Sequence, residues 1–154
     1  MVDSPMIEIV PTHAGLAFED APDRGRVLVS GRDTGGRYSL MEYVVAPRPA
    51  TEPVAYGPHL HREIEETFWV RQGELRFLLR DEVTLLRTGD FVRVPPGVRH
   101  GFANVSGAPA HLLVSFHPGG FEELFLTYRT DGGDPAGGAG FLADATRLHA
   151  SRFE

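Results

Sequence analysis

Two short stretches of this sequence carry side chains that could hold a metal ion. The first is His59-Leu60-His61-Arg62-Glu63-Ile64-Glu65-Glu66. In a strand, residues i and i+2 point to the same face, so His59 and His61 can present both imidazoles to one point. Two neutral imidazoles and a nearby carboxylate form a nitrogen/oxygen set that suits Fe(II), Mn, Ni, Cu or Zn. Alone, such a pair reads most simply as surface histidines beside an acidic run. The second stretch, from Gly89 to Asn104, changes that weighting. It places His100 just past the Pro95-Pro96-Gly97 turn, at the start of a new strand. A tight turn that brings a histidine back toward the first pair supplies a further ligand.

Most other chemistry is excluded by composition. The 154 residues contain no cysteine, which removes disulfides, thiolate nucleophiles and sulfur-bound metals. All 15 basic residues are arginine, so neither a Schiff-base lysine nor a phosphate-loop lysine exists. None of the six serines sits in a Gly-x-Ser-x-Gly context, and Gly138-Ala139-Gly140 lacks the preceding strand of a dinucleotide fingerprint. The net charge of -6 has the wrong sign for nucleic acid or an anionic membrane surface. No apolar run approaches the ~20 residues of a membrane span, and Met1–Val10 does not resemble a signal peptide. Composition therefore predicts neither a nucleic-acid nor a membrane partner, and a cytoplasmic location; strand edges and the apolar tail suit a second copy of the chain as partner.

The elements that must position these residues are short strands. Eighteen glycines and 12 prolines supply turns, and strand signals recur about every ten residues. They cover Arg26–Ser30, Tyr38–Val45, Thr67–Arg71, Glu74–Arg80, Val83–Arg87, Phe91–Val94, His100–Asn104 and His111–Phe116. There is no βαβ alternation, so the pattern predicts an all-β antiparallel sandwich or barrel. The proline-rich stretch 46–57 reads as an extended connection. After the strands, apolar residues at 121, 124, 125 and 128 have helical spacing. Residues 131–140 form a Gly-rich breaker, and 141–153 a terminal helix. This tail reads as a cover over the barrel or a dimer contact.

The two stretches resemble the two motifs of the cupin superfamily. His59, His61, Glu66 and Gly73 fall at fixed positions of the first motif, and Gly89, Pro95, Gly97, His100 and Asn104 match every position of the second. The first motif's opening glycine would fall at Pro53, a departure that touches the entry loop and not the ligands. The resemblance implies a double-stranded β-helix, or jelly-roll barrel, with a short C-terminal helical tail. It implies one cupin domain over residues 1–154, with a barrel core at about 26–117 and the tail at about 121–154. It also implies that His59, His61, Glu66 and His100 bind one divalent transition metal per chain. Glu65 competes with Glu66, but only Glu66 keeps the family's six-residue gap to Gly73.

By the same resemblance, the leading functional expectation is a metal-dependent dioxygenase. It would act on an enolic or aromatic, flavonol- or catechol-like substrate, with Glu66 as catalytic base. Small bacterial cupins of this kind are similar to quercetin dioxygenases. The alternatives are a non-redox zinc cupin catalysing polyketide cyclisation or isomerisation, and a non-catalytic binding barrel. Alternation along the strands places Phe68, Phe77, Leu79 and Phe102 on the inward side as a substrate pocket. Trp69 falls out of that phase and belongs outside the cavity. His13 and His149 read as surface residues, and His111 and His117 as exposed unless their phase faces the cavity.

Overall fold

The computed structural model describes residues 7–49, 58–128, 139–149 and 151–153. Strand β1 (Leu16–Asp20) pairs antiparallel with β2 (Asp23–Val29), and β2 with β3 (Ser39–Val45). Next come β4 (His59–His61), β5 (Glu65–Gln72), β6 (Glu74–Leu79) and β7 (Glu82–Arg87). Strands β8 (Phe91–Val94), β9 (His100–Ala103) and β10 (Ala110–His117) complete the barrel. Two helices follow, α1 (Glu122–Tyr128) and α2 (Ala139–His149), and the short strand β11 (Ser151–Phe153).

The strands form two antiparallel sheets, ordered β1-β2-β3-β10-β5-β8 and β11-β4-β9-β6-β7. Each inner face is written in the sequence as alternation. In β3, Ser39, Met41, Tyr43 and Val45 are buried while their neighbours are partly exposed. In β5, Glu66, Phe68 and Val70 turn inward, and Trp69 turns out to lie 43% exposed beneath the Arg71 guanidinium. Leu75 and Phe77 of β6 are fully buried, as alternation predicts. Strand β10 sends Leu112, Val114 and Phe116 inward. The phase of His111 and Leu113 therefore faces out, away from the cavity. His117 stacks on Tyr38 and hydrogen-bonds Ser115.

The tail differs from its sequence reading in two places. Residues 151–153 are not the end of a helix but a strand that pairs with β4. His149 is not a surface residue: it is half-buried, its ring 5.3 Å from that of Phe121. The cause is the helix pair itself, which lays its apolar stripe over one end of the barrel. Phe125 of α1 packs on Phe18 at 4.9 Å and on Phe141 of α2 at 5.1 Å. Phe141 and Ala145, four residues apart on one helix face, are both buried. Tyr128 donates to Asp144 at 2.6 Å and ties the two helices together. Pro53, Gly57 and positions 131–138 of the Gly-rich breaker lie outside the described residues.

Two buried charged groups brace this frame. Asp23 and Arg48 form a two-pronged ion pair, at 2.7 and 3.0 Å, and Asp23 also accepts from the backbone N–H of Ala46. Glu122, fully buried at the start of α1, accepts from the backbone N–H of Gly31 at 2.6 Å and of Gly120 at 2.7 Å. It thereby ties the turn after β2 to the foot of the helices.

Candidate metal centre

Three strands bring the candidate ligands together. Strand β4 is only three residues long, and its i, i+2 geometry turns His59 and His61 the same way. Its neighbour β9 sets His100 directly opposite His59, ring centroids 4.4 Å apart. Glu66 enters from β5, in the facing sheet, as the first inward residue of that strand. The ligand atoms of His59, His61, Glu66 and His100 all lie within 4.8 Å of one another, and all but His59 are buried. Among the described residues this is the one group of histidines and carboxylates so arranged.

The motif glycines and asparagine explain how the turn delivers His100. Gly97 has φ of +79°, a left-handed conformation that a side chain would strain. Its N–H donates to the His61 carbonyl at 2.7 Å, tying the turn to the end of β4. Gly73 sits at φ +89°, and a Cβ there would come within 3.0 Å of the Ala110 backbone. Asn104 is fully buried. Its amide donates to the carbonyls of Val45 and Ala108, and its oxygen accepts from Ser106. That network fixes the exit of β9 as Gly97 fixes its entry.

The charges are coupled. Burial pushes the Glu66 carboxyl up, but hydrogen bonds and charge from His100 and His61 outweigh it and hold the group well below the ordinary carboxylate range. Its Oε2 lies 3.0 Å from His100 Nε2 and 3.2 Å from His61 Nε2. Burial lowers the proton affinity of His100, yet the Glu66 hydrogen bond and charge, with the Val98 carbonyl, raise it overall. Glu65 points the other way, to an ion pair with Arg93 on the outer face.

This arrangement fits a metal ion. His100 Nδ1 lies 2.9 Å from the Val98 carbonyl, which can only accept, so Nδ1 carries a proton. A neutral His100 then aims the lone pair of Nε2 at the Glu66 carboxylate, two acceptors 3.0 Å apart. A cation must stand between them, either a proton or a metal. A backbone carbonyl holding the far nitrogen of an imidazole is also how proteins orient a metal-binding histidine. Among the residues present, His59, His61, Glu66 and His100 would hold the ion.

A narrow cavity of about 40 Å³ opens onto this cluster. Phe68 and Phe102 line it, together with Tyr43, Val114 and Phe116. Phe77 and Leu79 do not line it. Phe77 lies behind, stacked on Phe102 at 5.3 Å and edge-on to Phe68 at 5.0 Å, and Leu79 packs against the core. Sequence reasoning missed Phe121, Phe125 and Phe141, which close the cavity from the helices. Phe121 stands edge-on to His61 at 4.7 Å. The helical spacing at 121, 124, 125 and 128 was the available signal for a buried face, but it does not say what that face covers.

Comparison with known proteins agrees with this picture. The family model for the cupin domain matches residues 42–116, the span that holds all four candidate ligands. No curated protein matches by sequence. Among solved structures, KdgF from Halomonas sp. superposes with a TM-score of 0.64 at 18% identity, covering 77% of this chain and 99% of that one. A sugar phosphate isomerase of a cupin superfamily from Silicibacter pomeroyi gives 0.59 at 18%, covering 71% and 75%. The polyketide cyclase RemF from Streptomyces resistomycificus gives 0.54 at 25%, covering 73% and 80%. Residues 42–116 are a cupin domain, and the chain has the cupin fold.

No helix among the described residues is long and apolar enough to cross a membrane.

Proposed function

We propose that this cupin is a metal-dependent enzyme that moves a proton at carbon next to a carbonyl or enol oxygen, in a cyclisation or isomerisation. The observation that carries the reading is Glu66: a buried carboxylate within 3.2 Å of two imidazole nitrogens, at the end of an otherwise apolar and aromatic cavity. The 25% identity to a polyketide cyclase supports it. A divalent ion, when bound, would supply Lewis acidity toward the substrate oxygen. Glu66 is the only carboxylate lining the cavity among the described residues, and so the group to accept the proton. The phenylalanine walls give the reacting end of the substrate an apolar surround. Tyr43 gives the cavity its ring, because its hydroxyl is turned away to Asp20 at 2.6 Å.

Dioxygenation is the second reading. It is favoured by the donor set, since three imidazoles and a carboxylate also accept iron, manganese, nickel or copper. Elemental analysis of the purified chain comes first, with His61→Ala as control; about one divalent ion per chain is expected, lost in the variant. Deuterium incorporation next to the carbonyl of aryl ketones by the zinc-loaded chain, absent in Glu66→Gln, would support proton transfer. Oxygen uptake with catechols by an iron- or copper-loaded chain, without that exchange, would overturn it in favour of dioxygenation. No metal even after reconstitution would refute both.

A further inference from the structure

The cavity beside the cluster, at about 40 Å³, has room for only a few water molecules. Its walls have two origins. The barrel strands supply His59, His61, Glu66 and the inward aromatic residues, all inside the span of the family match. Phe121, Phe125 and Phe141 come from chain beyond residue 116 and close the other side.

These three differ in what holds them. Phe121 lies against His61 and, at 5.0 Å, against Phe116 of β10. Phe125 packs on Phe18 of β1. Both are thus wedged against barrel side chains. Phe141 stands one layer further out, its ring against Phe125 and Tyr128 of α1 and against Phe121 just before that helix. It is 1% exposed and still reaches the cavity. Its helix is tied to α1 by the Tyr128–Asp144 hydrogen bond and to the barrel through the pairing of β11 with β4.

We propose that Phe141 is the specificity-determining residue of this site: its ring limits the part of a substrate that can lie beside Glu66 to a few non-hydrogen atoms. The proposal rests on reading the cluster as a substrate site. It narrows the substrate class to molecules that insert a small oxygen-bearing end, such as a ketone or enol, and leave any ring system outside. A six-membered ring needs a space of roughly 150 Å³, about what deletion of one large apolar side chain opens in a packed core. Removing the phenyl group of Phe141 would bring the cavity into that range.

The test uses the full chain after exchange into zinc, titrated with acetone as the small probe and phenol as the ring probe. Binding is followed by NMR at the imidazole signals of His59 and His61, which line the cavity whether or not zinc is retained. In the unmodified chain acetone should shift these signals and phenol should not. In Phe141→Ala phenol should gain about tenfold or more in affinity while acetone changes by less than about twofold. Phe141→Leu should fall between, and it decides the question if the alanine variant fails to fold. Phe77→Ala, which empties space behind Phe68 and Phe102, should not admit phenol to the histidines.

Phenol shifting these signals in the unmodified chain as readily as acetone would overturn the proposal. So would a phenol affinity that does not depend on residue 141, or an equal gain in Phe77→Ala. A chain that holds no metal would sink the enzymatic reading and leave the comparison of probes intact.

Discussion

Replacing Glu122 with alanine tests whether one buried carboxylate holds the helical cover in place. The side chain is fully buried, and each oxygen accepts one backbone N–H, from Gly31 at 2.6 Å and from Gly120 at 2.7 Å. Space around these donors is too tight for a simple rearrangement, since a Cβ on Gly31 would already lie 2.7 Å from the Gly120 nitrogen. A buried donor left without an acceptor costs about 1–3 kcal/mol, so two of them, with the void, predict a loss of about 3–5 kcal/mol. Glutamine keeps one acceptor oxygen but sets an NH2 against the other N–H, and should lose about 1.5–3 kcal/mol. Urea unfolding followed by circular dichroism gives both values, and an unchanged m-value would show that the denatured state is not the cause. Because Phe121 precedes Glu122 and packs on His61, the alanine variant should also bind zinc more weakly. A loss below about 1 kcal/mol, less than two buried donors without acceptors should cost, would refute the reasoning.

Further outcomes follow from the charges. Asp23→Asn leaves Arg48 buried without its carboxylate, the pair's side chains being 0% and 9% exposed, and should cost about 3–5 kcal/mol. Arg32→Gln breaks the exposed pair with Glu123 and should cost less than about 0.5 kcal/mol; equal losses in urea unfolding would show that burial does not set the difference. In the metal-free chain the folded His100 holds its proton above the ordinary 6.5. The stability this adds is fully present below the unfolded value and is lost as pH rises through the raised folded one. Thermal melting of chelator-treated protein should therefore fall across that window. Zinc affinity should rise over the same range, because binding needs the neutral imidazole; a melting temperature that climbs with pH there would contradict the assignment.

The candidate ligands were legible because local geometry and motif spacing both mark them. The phase of β4 pairs His59 with His61 and a Pro-Pro-Gly turn sets His100, while Glu66 was separated from Glu65 by the six-residue gap to Gly73 that the family resemblance implies. The barrel was legible for the same reason, since period-two burial in β3, β5 and β6 is a property of each strand alone. What failed to show was everything set by distant packing. Phe77 satisfies the inward phase as well as Phe68 does, and only the placement of Phe102 between sheet and cavity decides which ring is exposed to the space. Residues 151–153 carry no strong strand signal of their own. They are extended because β4 offers them an edge. His149 looks like a polar residue at a helix end, and its burial is decided by Phe121, some thirty residues earlier.

That pairing of β11 with β4 also gives the molecule an order of assembly. Strand β4 meets β9 at a single residue pair, His59 with His100, and meets β11 along its whole length, from Ser151 opposite His61 to Phe153 opposite His59. The strand that carries two of the four metal-binding candidates thus takes most of its lateral support from residues ninety positions later. During synthesis, which exposes the chain from its N-terminal end, the six-stranded sheet can form while β4 still waits for that partner. The two histidines gain most of their strand pairing only when that last strand is in place, so the candidate ligand group is completed late in folding.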